Sequence, residues 1–403
     1  MIIRENYLNQ IRDFIDKPVV KVLTGMRRSG KSALLELTRQ MLIDHNVKES
    51  NIICLNFESL RHERLKDFRA LYEEVSGRVA KMDGRAYILL DEVQEVMGWE
   101  QAINSFQVDF DCDIVITGSN ARLLSGELAT LLSGRYVEIR VYPLDFKEYL
   151  DFAAQNVDEV GLSVSEHFSN YLRFGGLPGI HQMKWEENRI MQYLADIYHS
   201  VLLKDVIARN KIRDVSLLEN IIRYVMDNIG SLFSAKTISD FLKNQGRKLS
   251  TETVYAYLRA LEDAFLIHKA SRFDIKGKRI LETQEKYYLS DLGLRHCLMG
   301  YSDNDIGGLL ENTVYLELCR RGYNVFIGKQ GVAEVDFVAN RGDVRLYIQV
   351  TYVLTENNTE REFAPLEAIM DNYEKTVVST DTLININRGG IRSKNVLDFL
   401  LAE

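Results

Sequence analysis

Along the first 140 residues, short apolar runs alternate with stretches whose apolar positions recur every three to four residues. The runs Val19 to Thr24, Asn51 to Phe57, Ala86 to Asp91, Asp113 to Gly118 and Tyr136 to Val141 are nearly continuous rather than alternating. That is the pattern of strands buried on both faces, and helical periodicity between them predicts a parallel sheet covered on both sides. From Pro143 to about Arg213 the pattern turns helical, broken at Phe174-Gly175-Gly176-Leu177-Pro178-Gly179, which predicts a helical layer with a bend. Three short helices follow. One is capped by Ser234 and another by Ser250, the latter carrying Val254, Tyr257, Leu258 and Leu261 on one face. Phe265 to Ala270 and Lys286 to Leu289 then read as strands paired across a Lys276-Gly277-Lys278-Arg279 turn. The last hundred residues predict a helix from Gly308 to Arg321 and strands at Tyr323 to Ile327, Ala333 to Ala339 and Leu346 to Thr351.

The richest chemistry lies just after the first strand. Gly25-Met26-Arg27-Arg28-Ser29-Gly30-Lys31-Ser32 fits GxxxxGK[ST], with a strand before it and a helix after it. Backbone N–H groups of such a turn converge on phosphate oxygens, and the helix aims its positive end at the same anion. Lys31 would reach the terminal phosphates, and the Ser32 hydroxyl would ligate Mg²⁺. About 60 residues on, the apolar run Tyr87 to Leu90 ends in Asp91-Glu92. Asp91 is expected to hold Mg²⁺ and Glu92 to polarise the attacking water as general base. A further strand-like run between the two motifs, together with the glutamate, favours ATP hydrolysis; no Asn-Lys-x-Asp guanine-reading tetrapeptide occurs. Thr117-Gly118-Ser119-Asn120 closes the fourth run, where Asn120 or Ser119 is a candidate for holding water or sensing the γ-phosphate. Ser133-Gly134-Arg135 opens the fifth, with Arg135 a candidate phosphate finger, in cis or towards a second copy.

Composition narrows the class. The 403 residues suggest several domains, and 46% apolar with 27% charged residues is ordinary for a soluble globular protein. No run reaches 18 apolar residues and the first residues lack a signal-peptide pattern, so a cytoplasmic location without membrane contact is expected. Cys54, Cys112, Cys297 and Cys319 are scattered without metal-ligand spacing and read as reduced core residues. The net charge of −8 argues against a molecule that binds nucleic acid over its whole surface. Ser231 to Ser290 nevertheless holds 11 Lys/Arg against 7 Asp/Glu. That segment's helices and hairpin have the order of a winged helix. Thr251, Thr253, Tyr255 and Arg259, expected to be exposed on its recognition helix, and Lys276, Lys278 and Arg279 at the wing tip are candidate contacts to duplex DNA. The C-terminal helix and strands have the order of a restriction-endonuclease-like core, with Glu311, Asp336 and Gln349 at its metal positions and Glu334 nearby. Active cores present Glu-x-Lys on the third strand, whereas this chain has Gln349-Val350-Thr351, so a degenerate nuclease site is expected.

Taken together, these motifs resemble a family of AAA-type ATPases of bacteria and archaea that joins an N-terminal ATPase to a C-terminal domain of unknown function. Pro143-Leu144-Asp145-Phe146-Lys147-Glu148-Tyr149, Gly175-Gly176-Leu177-Pro178, Lys286 to Arg295 and Glu334-Val335-Asp336-Phe337 extend the resemblance over nearly the whole chain. It implies an α/β protein: a P-loop NTPase parallel sheet (1–142) with a helical lid (143–213), then a winged helix (214–300) and a nuclease-like domain of PD-(D/E)XK type (301–403). The expected function is an ATP-hydrolysing switch or motor that uses Mg²⁺ and acts on duplex DNA or a DNA-bound complex, with self-association open. Two alternatives stand beside it. One is an ATPase gripping a protein client with a dead nuclease fold; the other is an ATP-dependent nuclease.

Overall fold

The computed structural model describes residues 2–121, 135–159, 161–244, 246, 249–381 and 386–402. They form two compact units, 1–143 with 263–265, and 144–262 with 266–403.

In the first unit, α1 (Glu5–Asp13) leads into β1 (Val20–Thr24), α2 (Lys31–Asp44), β2 (Ile52–Asn56), α3 (Phe68–Val79), β3 (Ala86–Asp91), α4 (Trp99–Asp109), β4 (Cys112–Gly118) and β5 (Tyr136–Arg140). All five strands run parallel in the order β2-β3-β4-β1-β5. The sequence placed these strands to within a residue or so at each end. Their side chains divide by alternation. Val20, Val22, Ile88, Leu90, Ile114 and Ile116 pack with Leu71, Val75, Trp99 and Phe106 on one face. Leu23, Leu89, Val115 and Ile139 pack with Ile11, Leu34 and Leu35 on the other. Burying both faces is why the strands read as unbroken apolar runs. One exception, Lys21, is fully buried on β1 and pairs with Asp113 at the start of β4. Burial pulls the Lys21 amine below its ordinary range, against the pull of Asp113.

The second unit begins with α5 (Phe146–Ala153), α6 (Val164–Phe174) and α7 (Glu187–Val201), the last running into a wider π-helical stretch, Leu202–Ala208. Capping boxes start the first two, Asp145 with Glu148 and Ser163 with Glu166. Next come α8 (Val215–Asp227), α9 (Ala235–Asn244), α10 (Thr251–Asp263), β6 (Ile267–Asp274), β7 (Arg279–Leu289), α11 (Leu292–Met299) and α12 (Ile306–Arg320). The remainder is β8 (Asn324–Gln330), β9 (Ala333–Arg341), β10 (Val344–Val350), α13 (Thr359–Glu367), β11 (Glu374–Ser379), β12 (Asn387–Arg388), β13 (Ile391–Asn395) and α14 (Val396–Leu401).

β6 and β7 form the expected antiparallel hairpin, and β6 also pairs in parallel with β8 through Arg272↔Ile327 to Asp274↔Lys329. One eight-stranded mixed sheet results, in the order β12-β13-β11-β10-β9-β8-β6-β7. Asp291 caps α11 and accepts the Gly176 N–H at 2.7 Å, which ties the Gly-Gly bend to that helix. No helix among the described residues is long and apolar enough to cross a membrane.

Two expectations need correction. The cysteines are free, but none is fully buried: Cys54 is exposed, Cys297 and Cys319 are half-buried, and Cys112, also half-buried, packs against the core of the first unit. Cys54 alternates with buried Ile53 and Leu55 and so faces outward from β2 at the sheet edge. Thr251 and Thr253 are half-buried rather than exposed, because they lie in the first turn of α10, where Thr253 pairs with the cap residue Ser250 at 3.1 Å.

Candidate functional site

Parallel strands end together, so β1, β3 and β4 deliver their C-terminal residues to one edge of the sheet. There the chain turns from β1 into α2 through the glycine-rich loop. Gly25 has φ +148° and a Cβ on it would lie 2.1 Å from the Val141 carbonyl oxygen, so only glycine fits. Gly30, at φ +102°, caps α2. Lys31 is buried and folds back, its Nζ donating to the carbonyls of Gly25 at 3.0 Å and Met26 at 2.9 Å. Met26 is buried beneath the loop, Arg27 pairs with Glu58 at 2.6 Å, and Arg28 takes φ +66°. Arg4 braces the loop from outside, donating to the carbonyls of Ser29 at 2.8 Å and Tyr142 at 3.0 Å.

Opposite the loop stand the two carboxylates. Asp91 accepts from Ser32 Oγ at 3.1 Å, Thr117 Oγ1 at 2.6 Å and Asn56 Nδ2 at 2.8 Å. Burial raises the Asp91 carboxyl above its ordinary range, against the lowering effect of the Thr117 and Ser32 hydroxyls. Glu92 takes the left-handed conformation at φ +55°, its N–H donating to Thr117 Oγ1 at 2.9 Å. Its carboxylate accepts from Ser119 Oγ at 3.1 Å and from Gln94 Nε2, and lies 3.9 Å from Lys31 Nζ. A non-glycine residue in that conformation is costly enough to mark a constrained site.

The structure thus brings Gly25 to Ser32, Asp91, Glu92 and Ser119 to one edge. Asn120 lies two residues past the end of β4 and is half-buried, and Arg135 is exposed just before β5; Ser133 and Gly134 lie outside the described residues. Sequence reasoning missed Thr117, Asn56, Gln94 and Arg4. Register could have found Asn56, which pairs with Asp91 across β2 and β3. Thr117 follows Ile116, the partner of Leu90, and so stands level with Asp91. Nothing local marks Arg4.

Do these residues fit a magnesium nucleotide? The cradle has no room for a side chain at Gly25, and the buried Ser29 hydroxyl has no hydrogen-bond partner among the described residues. The Ser32 hydroxyl and Asp91 carboxylate are the hard oxygen donors that Mg²⁺ prefers. They fit.

The other candidates sort into two groups. Tyr255 and Arg259 are exposed on α10, and Lys276, Lys278 and Arg279 are exposed at the β6–β7 tip. In the C-terminal strands, Glu311 on α12 and Asp336 on β9 are both buried, and Gln349 Oε1 on β10 lies 3.3 Å from the Asp336 backbone nitrogen, whose N–H it accepts. Lys286, to which the sequence reading assigned no chemical role, reaches these acids from β7. Its Nζ is 2.9 Å from Glu311, 2.7 Å from Glu334 and 3.7 Å from Asp336. Burial, reinforced by the charge of Glu311, pushes the Asp336 carboxyl up to about 8. Burial opposes the charge on Lys286, but the three carboxylates together raise its pKa above the ordinary range.

Comparison with known proteins places the chain. Residues 17–150 match a family model described as an AAA domain, and residues 165–305 match a domain of unknown function, DUF8612. An uncharacterized protein of Haemophilus influenzae is 41% identical over 100% of this chain and 99% of its own length. The uncharacterized protein MJ1544 of Methanocaldococcus jannaschii is 33% identical over 87% of this chain and 79% of its own. The Walker-type ATPase PABY2304 of Pyrococcus abyssi, a solved structure, superposes with a TM-score of 0.53 at 17% identity, over 74% of this chain and 96% of that one. The chain therefore belongs to the family of AAA-type P-loop proteins that includes the Haemophilus influenzae and Methanocaldococcus jannaschii relatives.

Proposed function

We propose that the protein binds ATP with Mg²⁺ and hydrolyses it, and uses the cycle as a switch or motor on duplex DNA or a DNA-bound complex. One observation carries the ATPase part: Lys31, Ser32, Asp91 and Glu92 converge at the strand ends, with Glu92 held at fixed orientation. The loop amides and Lys31 bind phosphate; Ser32 and Asp91 would hold Mg²⁺, which when bound neutralises phosphate charge. Glu92 takes a proton from the attacking water, while Ser119 or Asn120 orients that water. Arg135, exposed at the start of β5, serves as a finger towards the γ-phosphate in cis or of a second copy.

The DNA part rests on α8 to α10 and the β6–β7 hairpin, which together have the composition and order of a winged helix. Exposed Tyr255 and Arg259 on α10 and exposed Lys276, Lys278 and Arg279 at the tip suit backbone and groove contact. An ATPase assay with and without duplex DNA, at low and physiological salt, tests both parts. ATP turnover that DNA changes in a salt-dependent way is the expected result. Turnover indifferent to DNA, without DNA retention at low salt, removes the DNA part and leaves the ATPase.

A protein client is the second reading. Phe241 and Ile280 are large apolar side chains exposed on α9 and the hairpin. A partner retained from lysate after nuclease treatment and lost on mutating these two supports it.

A further inference from the structure

A nuclease core of the type expected from the sequence would hold a divalent cation at Glu311 and Asp336. The residues present do not fit one. The Lys286 ammonium already lies against an oxygen of each acid in the cluster, at 2.9 Å from Glu311 Oε1, 2.7 Å from Glu334 Oε1 and 3.7 Å from Asp336 Oδ1. The remaining hydrogen bonds also come from the protein. Tyr288 donates its hydroxyl to Glu311 Oε1 at 2.5 Å, and the Val350 N–H donates to Asp336 Oδ2 at 2.8 Å. With Lys286 in place, no three His, Cys, Asp or Glu side chains among the described residues stand in an arrangement that would hold a metal. The cluster is also shut away, with the side chain of Lys286 3% exposed and those of Glu311 and Asp336 11% exposed; only Glu334, at 33%, faces out. A phosphodiester could not reach the acids without displacing the lysine.

We propose that Lys286 is a tethered cation standing where a divalent metal would sit, so that the acid cluster fastens strand β7 to α12 and β9 instead of cleaving nucleic acid. The chemistry favours this division. A covalently held ammonium does not pay the entropy of capture from solution, and its single charge lacks the Lewis acidity that hydrolysis needs. Breaking such a pair by removing the lysine alone leaves carboxylates buried without a counter-charge, a strongly unfavourable state unless another cation enters. The acids are therefore the ligands of a cation supplied by the chain itself. Lys286 and Tyr288 sit two residues apart on one face of β7 and both reach Glu311, so that helix and strand are joined at two points.

The test uses the full-length chain without nucleotide, with Mn²⁺ as the probe, read by electron paramagnetic resonance. Wild-type protein and Asp336→Asn should bind the same amount of Mn²⁺, and wild type should leave supercoiled plasmid intact with Mg²⁺ or Mn²⁺. Lys286→Met, which keeps the side-chain length and removes the charge, should gain a Mn²⁺ site that adding Asp336→Asn abolishes. Three results would overturn the proposal: wild-type Mn²⁺ binding lost in Asp336→Asn, plasmid nicking lost in Lys286→Met, or a folded Lys286→Met with no new site. Should Lys286→Met fail to fold, the comparison of wild type with Asp336→Asn still decides.

Discussion

Thr117 on β4 donates its hydroxyl to Asp91 Oδ1 at 2.6 Å while accepting the N–H of Glu92 at 2.9 Å, so one side chain holds the Asp91 carboxylate and the Glu92 backbone together. Thr117→Val keeps the shape and removes both bonds. Turnover should fall on the order of 10-fold, the usual cost of losing a group that orients a reacting residue. Nucleotide affinity should change little, and steady-state kinetics alongside a binding titration separates the two effects.

Lys31 and Glu92 should part in the same assays. Lys31→Ala removes the ammonium proposed to contact phosphate and should weaken ATP binding on the order of 10- to 100-fold. Glu92→Gln keeps the hydrogen bonds from Ser119 and Gln94 but removes the proposed base, so binding should persist while turnover drops on the order of 10²- to 10⁴-fold. Equal effects of the two substitutions on binding would contradict the assigned roles.

Gly25 tests the loop itself. A Cβ there meets the Val141 carbonyl oxygen at 2.1 Å, and the backbone is at φ +148°. Gly25→Ala should cost about 1–3 kcal/mol from backbone strain alone and more from the clash. Thermal melts should show destabilisation, and calorimetry with Mg-ATP should show lost binding.

A fourth prediction concerns acid. Burial holds the His296 imidazole down at about 4, whereas the unfolded chain protonates it near 6.5. Stability from this group is thus complete above pH 6.5 and is lost as pH falls towards 4. Asp291, the cap of the same helix, works the other way: burial lifts its carboxyl to about 6 from an ordinary 3.8, so the fold gains on acidification through that range. His296 Nδ1 lies 2.9 Å from the Arg173 carbonyl oxygen, and an asparagine amide can make that bond without titrating. Relative to wild type, His296→Asn should gain on the order of 1 kcal/mol per pH unit between pH 6.5 and 4.5. Denaturant melts across that range measure it.

The hairpin tip offers a fifth. If Lys276, Lys278 and Arg279 contact phosphate, replacing all three with alanine should lower the slope of log affinity against log salt by up to about three and weaken all duplex sequences alike. An unchanged slope would show that the tip does not touch the backbone.

The ATPase half was legible because its signals are local. A buried parallel strand must be apolar along its length, and the loop after β1 needs glycine where Gly25 meets the Val141 carbonyl. Asp91 and Glu92 are adjacent, so their pairing needs no fold to reveal it. Thr117 and Asn56 were harder, because each matters only through the register that sets it beside Asp91. Thr251 and Thr253 looked exposed by helical spacing, but spacing does not tell how the first turn packs.

By itself, then, the sequence determined the five-stranded sheet, the phosphate loop and the acidic pair, since backbone sterics and hydrophobic burial act between residues close in the chain. Only the tertiary structure decided what the C-terminal acids do. Lys286 lies 25 residues from Glu311 along the chain, yet its ammonium bonds that carboxylate directly. The meeting depends on β6 bonding to β8, which draws the hairpin into the C-terminal sheet. Strand edges pair by backbone hydrogen bonds that every sequence can make, so composition does not announce which edge will be chosen.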